Sequence, residues 1–276
     1  MIYLIIVSIL WSFSFGIIKY GLSGVDSSYI SFIRSLIALL FFSSISIYNI
    51  KKFALDYKLI LIGALQFGLM YIFYIQSYAY LPAYLIATFT ITTPIFVGLS
   101  SKYIAHQSIS NNGIYAISLV IIGSFLMRVN FVNPLDYWFG FLLIQCANLF
   151  FASGQILFKE WKIKNDGADI LHNFSQMFLG ATLVTSLFYI LNANGSNQLS
   201  SENLFALIFL GLISTGLGFL FWNLGSLKVT NEKLAVMNNL IIPIAILNSY
   251  FIFGEQIDST TFVPGMICFY LALKAL

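Results

Sequence analysis

The stretch that decides the fold is YWFGFLLIQCANLFFASGQILF, residues 137 to 158. It contains no charged residue, since Asp136 precedes it and Lys159 follows it. About twenty mainly apolar residues suffice for a helix to cross the hydrocarbon core of a bilayer. In that core the backbone must satisfy its own hydrogen bonds. The stretch is therefore predicted to be a transmembrane helix.

Similar apolar stretches follow one another along the whole chain of 276 residues. Apolar residues make up 59% of the sequence and charged residues only 8%. A typical soluble domain has roughly 25% charged residues. We therefore predict an all-α integral membrane protein with ten transmembrane helices. Their predicted bounds are residues 2–20, 27–48, 58–80, 83–103, 110–129, 136–158, 169–191, 203–227, 231–252 and 259–275.

The basic residues predict the orientation of the chain in the membrane. If the N-terminus is cytoplasmic, all Lys and Arg residues except Lys19, Arg34 and Arg128 lie in inner loops or in the C-terminal tail. Cytoplasmic loops of membrane proteins are typically rich in Lys and Arg. Both termini are therefore predicted to be cytoplasmic.

The predicted helices divide into two sets, five in residues 1–131 and five in residues 132–276. With an odd number of helices in each half, the second half must insert upside down relative to the first. The similarity of TTPI at 92–95 to IIPI at 241–244 supports this arrangement. Inverted repeats with interrupted helices are typical of transporters, whose sites lie near the midplane. We predict two inverted five-helix repeats with a binding site between them.

Several polar side chains lie inside the predicted helices, where unpaired polar groups are costly. On the sixth helix, Gln145, Asn148, Gln155 and Lys159 recur at helical spacing and share one face. Such a face either lines a cavity or hydrogen-bonds to a neighbouring helix. Trp222 and Asn223 lie at mid-span of the eighth helix, and Gln66 lies at a similar depth on the third. Packing alone does not account for an indole N–H, which needs a partner. Of the adjacent Asn238 and Asn239, at least one is predicted to line a polar space, because both cannot face one helix partner.

Arg34 lies about seven residues into the second predicted helix, on the outer side. Arginine inside a membrane costs roughly 2.5 kcal/mol or more unless it reaches the headgroups, a partner or an anion. One interpretation is that Arg34 extends toward the outer headgroups or pairs with Asp26. The functional interpretation is an anchor for a substrate carboxylate, which a guanidinium binds through two hydrogen bonds.

The acidic residues have a different distribution, because all ten fall in predicted loops or at helix ends. This argues against a multidrug cation pump and against proton coupling through a membrane carboxylate. His106 and His172 lie near helix ends with no third ligand in view. We predict no metal site, no cofactor and no enzymatic activity, since no acid-base constellation is visible. Nothing basic is clustered enough to suggest nucleic acid binding.

Four stretches resemble a known family: ILWSFSF (9–15), GALQFGLMY (63–71), FLFWN (219–223) and MNN (237–239). Together with the ten short spans and FIFGE (251–255), they make the chain similar to the drug/metabolite transporter superfamily, EamA type. Within it, the stretches are most similar to the bacterial biotin importers of the carboxylate/amino acid/amine transporter branch. Arg34 matches an arginine in the second span of that family.

The resemblance implies a multi-pass transporter of the bacterial inner membrane that takes up biotin by alternating access, as a monomer or homodimer. Arg34 would bind the carboxylate, amides would pair with the ureido group, and aromatic rings would surround the apolar ring. An exporter of amino acids or related metabolites is the alternative, because such substrates would meet the same aromatic wall. The candidate substrate-binding residues are Trp11, Arg34, Gln66, Tyr71, Tyr74, Asn148, Gln155, Trp222, Asn223, Asn238 and Asn239.

Overall fold

The structure is a computed structural model that describes residues 1–46, 55–128, 137–167, 169–192, 199–253 and 258–276. All regular secondary structure in these ranges is helical, as predicted. The helices group into ten segments, numbered along the chain. They are α1 (Ile2–Gly21), α2 (Ser27–Ser46), α3 (Tyr57–Ala79), α4 (83–103), α5 (Asn111–Arg128), α6 (Trp138–Lys164), α7 (Ile170–Asn192), α8 (Ser201–Ser226), α9 (231–253) and α10 (Ser259–Ala275).

By length and composition, seven of the described segments can cross a membrane, namely α1 to α4 and α6 to α8. α5 and α10 are shorter apolar helices, and α9 is interrupted, so the number of crossings stays a prediction. The predicted bounds at residues 48, 129 and 136 lie outside the described residues. The other predicted bounds lie within two residues of the described helix ends, with one exception. α6 continues to Lys164 instead of ending at Phe158, because apolarity marks the membrane boundary while a helix can extend into water.

Two segments are interrupted near their centres, each a few residues before a proline. Proline has no N–H to donate and disfavours helical geometry in the residue before it. In α4 the interruption precedes Pro94, and in α9 it precedes Pro243. The helical parts are Ala83–Phe89, Thr90–Thr92 (a 3₁₀ turn) and Thr93–Tyr103 in α4, and Asn231–Asn238 and Ile241–Phe253 in α9.

The contacts between the two halves of the chain occur in matching pairs. α2 packs on α7, and α5 packs on α10. α3 packs on α7, and the corresponding helix of the second half, α8, packs on α2. In the same way, α4 packs on α6, and α9 packs on α1. Two inverted halves would produce this pattern. The predicted boundary between residues 131 and 132 lies outside the described residues.

The main core is formed by α2, α3, α7 and α8 around stacked aromatic rings. The Phe67 ring stacks on the Phe178 ring with centroids 4.7 Å apart. The Phe42 ring also stacks on Phe178, with centroids 5.6 Å apart. α3 approaches α7 so closely that a β-carbon on Gly63 or Gly180 would overlap the opposite backbone. Small residues at such crossings allow membrane helices to pack by van der Waals contact. This core fixes α2, α3 and α8, which carry much of the site described next.

Candidate functional site

A cavity of about 120 Å³ lies between α1, α2, α3, α4, α6, α8 and α9. A single water needs roughly 10–15 Å³ of such space, so the cavity has room for a small organic molecule. Its wall is mainly apolar and aromatic with a few polar groups, as is typical of small-molecule sites. Seven of the predicted site residues line it: Trp11, Arg34, Tyr71, Tyr74, Asn148, Trp222 and Asn238. The other four, Gln66, Gln155, Asn223 and Asn239, are fully buried beside it.

Arg34 reaches the cavity from α2 and is only 2% exposed. Its Nε donates to the Thr215 hydroxyl at 3.2 Å, and its Nη2 donates to the Tyr71 hydroxyl at 3.0 Å. These two hydroxyls are 2.8 Å from each other, and the guanidinium carbon lies 4.3 Å from the centre of the Tyr71 ring. Hence the guanidinium is held by neutral groups on two other helices.

The Nη1 atom of Arg34 is buried and has no hydrogen-bond partner among the described residues. An unpaired buried donor is costly, and more so when it is charged. Thr215 meets Arg34 from a wide π-helical stretch of α8, Phe209–Leu217. Such π-helical irregularities often mark functional sites. The arrangement leaves one donor of a fixed cation unpaired on a residue that lines the cavity.

Trp11 and Trp222 form an aromatic wall of the cavity, with ring centroids 5.1 Å apart in a stacked arrangement. The Trp11 indole N–H donates to the carbonyl of Ser214 at 2.9 Å, within the same π-helical stretch. The Trp222 indole N–H donates to Oε1 of Gln155 at 2.8 Å. Both indoles therefore have fixed orientations and present apolar faces.

The interruptions of α4 and α9 meet beside the cavity. Asn148 donates through Nδ2 to the carbonyl of Phe89 at 3.0 Å and to the Thr92 hydroxyl at 3.1 Å. Asn239 donates through Nδ2 to the carbonyl of Ile91 at 2.9 Å. These amides replace hydrogen bonds that the broken helix α4 cannot make for itself. Asn148 thus serves both predicted alternatives, because it lines the cavity and also bonds to a neighbouring helix.

Three further amides are buried, and we call them the amide cluster: Asn223 follows Trp222 in the chain, Gln66 bonds to Asn223, and Gln155 bonds to Trp222. Nε2 of Gln66 donates to Oδ1 of Asn223 at 3.1 Å, and Gln155 accepts from Trp222. Three polar atoms of the cluster have no partner among the described residues. They are Oε1 of Gln66, Nε2 of Gln155 and Nδ2 of Asn223.

Comparison with known families accounts for this architecture. The model of the EamA-like transporter family matches residues 1–129 and 138–273. This chain belongs to the EamA-like transporter family. The resemblance to the drug/metabolite transporter superfamily is thereby confirmed, and the protein is a multi-pass membrane transporter.

Individual relatives of this EamA-family transporter extend over almost its whole length. The biotin transporter of Salmonella typhimurium is 31% identical over 268 residues, covering 95% of this chain and 88% of the relative. The biotin transporter of Escherichia coli is 30% identical over 273 residues, covering 98% and 90%. The probable biotin transporter of Pseudomonas aeruginosa is 31% identical over 260 residues, covering 93% and 90%.

The fold of the transporter also matches a solved crystal structure. That structure has a TM-score of 0.78, covers 99% of this chain and 95% of its own, and shares 12% sequence identity. At this level of identity the likeness shows the fold alone.

A second polar group surrounds Lys159, and we call it the Lys159 cluster. Lys159, near the end of α6, donates to the carbonyl of Val229 and to Oδ1 of Asn231, the latter at 2.8 Å. Nδ2 of Asn231 donates in turn to the Ser101 hydroxyl and to Oε1 of Gln107, each at 3.0 Å. The cluster ties α6 to the α8–α9 and α4–α5 connections.

Several cavity residues were not among those predicted from the sequence. Thr215, Thr90 and Thr93 carry hydroxyls at or beside the cavity, and Phe151 and Phe219 complete the aromatic wall. The sequence does contain an indication for Thr215. It precedes Trp222 by seven residues and therefore lies on the same face of an ideal helix. Hydroxyl and phenyl groups are common inside membrane helices, so the residue types alone did not separate these positions from ordinary packing.

Proposed function

We propose that this transporter takes up biotin across the bacterial inner membrane and binds the biotin carboxylate through Arg34. The observation that carries the proposal is the unpaired Nη1 of Arg34 at the cavity. Thr215 and Tyr71 hold the other side of the guanidinium but supply no negative charge. A carboxylate would provide both the acceptor and the charge, and it matches the planar fork of the guanidinium.

The remaining wall of the cavity suits the rest of such a substrate. Trp11, Trp222 and Phe219 surround space that an apolar ring and an aliphatic chain would fill. Relatives that share about 30% identity over nearly the full chain carry the name biotin transporter. An amino acid would also offer a carboxylate. Its ammonium group, however, would need an anionic or carbonyl partner, and every acidic residue of the sequence lies in a predicted loop or at a predicted helix end.

The transport mechanism that we propose is alternating access between two inverted halves, with both termini in the cytoplasm. The paired contacts between the halves support it, as does the meeting of two interrupted helices beside the cavity. In transporters built from inverted repeats, one repeat typically rocks against the other around a fixed site. The basic residues of the predicted inner loops support the orientation.

Uptake of labelled biotin tests the proposal directly. The chain is expressed in a biotin-requiring bacterial host that lacks its own biotin carrier, and insertion is verified by quantifying the protein in isolated membranes. We expect saturable uptake that excess unlabelled biotin abolishes and that excess amino acids do not affect. Absence of uptake from correctly inserted protein would refute biotin import. Excretion of an amino acid by the same cells would instead support the exporter.

A further inference from the structure

The amide cluster lies one helical turn beyond the cavity on three different helices. The hydrogen bonds Tyr71–Thr215 and Gln66–Asn223 show that α3 and α8 run in opposite directions. Gly154 packs against Gln66, so α6 also runs opposite to α3 at this depth. Each amide is therefore displaced toward the same end from a cavity-lining residue four positions away. The pairs are Met70 with Gln66, Phe151 with Gln155, and Phe219 with Asn223.

The unpaired atoms of the cluster have a definite hydrogen-bonding character. Gln155 leaves an N–H donor unpaired, and the Gln66–Asn223 pair leaves one donor and one acceptor unpaired, whichever of its two amides donates. The orientation of Gln155 is fixed, because the Trp222 indole can only donate and so must face Oε1. All three side chains have no exposed surface. Buried polar atoms of this kind normally have partners, and three unpaired ones in one cluster need an explanation.

Resting on the proposed function, we infer that the amide cluster is a second polar subsite of the same binding site. It receives the neutral head group of the substrate, a cyclic urea or a similar group with one carbonyl and adjacent N–H groups. The urea carbonyl accepts from Gln155 and Asn223, and a urea N–H donates to Gln66. Trp222 lines the cavity and bonds to Gln155, and in this proposal its indole turns aside so that the head group reaches the cluster.

The spacing of the two polar ends fits this assignment. Thr215, which holds Arg34, and Asn223 are eight residues apart on α8. At 1.5 Å per residue this separation is at most about 12 Å along the axis of α8. Their partners on α3, Tyr71 and Gln66, are five residues apart, which corresponds to about 7.5 Å. An extended biotin molecule carries its carboxylate and its ureido group at opposite ends, separated by an aliphatic chain and a bicyclic ring. The site therefore selects elongated monocarboxylates with a hydrogen-bonding head.

Binding measurements on the purified full chain with two ligands test the subsite. The ligands are biotin and 5-phenylpentanoate, a carboxylate that has an apolar ring but no urea. The variants Gln66→Met and Asn223→Leu remove the amides with little change in volume. We expect each to raise the Kd for biotin about tenfold, since each removes a hydrogen bond to the head group. The Kd for 5-phenylpentanoate should stay within about twofold of the wild-type value, because that ligand has no group for the amides.

Asn173→Leu is the matched control, since Asn173 is also a buried amide with an unpaired Nδ2 but does not line the cavity. It should leave both Kd values unchanged. If 5-phenylpentanoate does not bind the wild-type protein at all, the subsite is also supported, because carboxylate and apolar contacts are then insufficient. Biotin binding that is unaffected by both amide variants, or weakened equally for both ligands, would overturn the subsite. Failure of the wild-type protein to bind biotin would instead refute the proposed function.

Discussion

Two buried cations of this transporter differ in how completely they are paired. Arg34 is 2% exposed and Lys159 is 8% exposed, and each lies on a helix of the bundle. Lys159 donates to a backbone carbonyl and to the side-chain oxygen of Asn231. Arg34 donates to two hydroxyls, and its Nη1 remains unpaired beside the cavity.

This difference separates a structural cation from a binding cation. Burying a charge is costly, and hydrogen bonds to fixed acceptors offset the cost. In the Lys159 cluster these acceptors belong to the chain itself, so the cation joins three parts of the bundle. At Arg34 the set of acceptors is incomplete, and the missing acceptor is the one that a substrate can bring.

Replacement of Arg34 should have the largest effect. We expect Arg34→Ala to reduce biotin uptake at least about 30-fold, since loss of a buried charge-assisted hydrogen bond to a ligand costs roughly 2–5 kcal/mol. The amount of protein in the membrane should stay close to wild type, because Arg34 donates to the hydroxyls of Thr215 and Tyr71, which also bond to each other. Arg34→Lys should restore little uptake, as an ammonium lacks the bidentate fork. Uptake by Arg34→Ala at the wild-type rate would remove Arg34 from the site.

Replacement of Lys159 should affect stability rather than binding. Lys159→Met removes charged hydrogen bonds to Val229 and Asn231 and should lower the free energy of unfolding by about 1.5–3 kcal/mol. Thermal unfolding of the purified protein measures the change, and the Kd for biotin should remain at the wild-type value. Lys164→Met, at an exposed position of the same helix, is the matched control and should alter neither quantity. A rise in the Kd comparable to that of Arg34→Ala would erase the distinction between the two cations.

Loss of a hydroxyl beside Arg34 should have a smaller effect than loss of the guanidinium. Tyr71→Phe removes the acceptor of Nη2 and a partner of Thr215, which leaves the guanidinium less firmly oriented. We expect the Kd for biotin to rise about three- to tenfold, as one hydrogen bond is worth about 1 kcal/mol. Tyr115→Phe, at an exposed tyrosine, provides the control in the same binding assay.

The smallest effect is expected for a substitution that keeps the hydroxyl. Thr215→Ser preserves the acceptor for Nε of Arg34 and should change the Kd by less than about twofold, whereas Thr215→Val should behave like Tyr71→Phe. The same binding assay measures both variants. A large loss of affinity with Thr215→Ser would mean that packing, and not the hydrogen bond, is what matters at this position.

The sequence predicted the helical segments well, because hydropathy and polar connections vary along the chain in the same way as membrane depth. It could not predict how polar side chains on one helix face divide between roles. Asn148, Gln155 and Lys159 share a face of α6, yet each has a different kind of partner. Asn148 bonds to the interruption of α4, Gln155 to Trp222, and Lys159 to the α8–α9 connection. Those partners belong to other helices. Their depth in the membrane depends on how the helices pack, and the periodicity of a single helix carries no information about that.

The contacts made by the irregular parts of the helices were also not predictable from the sequence. Pro94 and Pro243 indicated interruptions of α4 and α9, but nothing in the sequence indicated that Asn239 joins one interruption to the other. Likewise, the wide turns of α8 that bring Thr215 to Arg34 have no compositional signal. Adjacent Asn238 and Asn239 show the consequence, since the first lines the cavity and the second is fully buried.

The stacked pair of Trp11 and Trp222 gives this transporter an optical probe of its own. Indoles whose centroids are 5.1 Å apart couple electronically, so their combined absorption and circular dichroism depend on their mutual angle, here 29°. A turn of the Trp222 ring would change both signals and the emission of the pair. Substrate occupancy can therefore be followed in real time in the unlabelled protein, with the two remaining tryptophans, Trp138 and Trp161, giving a constant background away from the cavity.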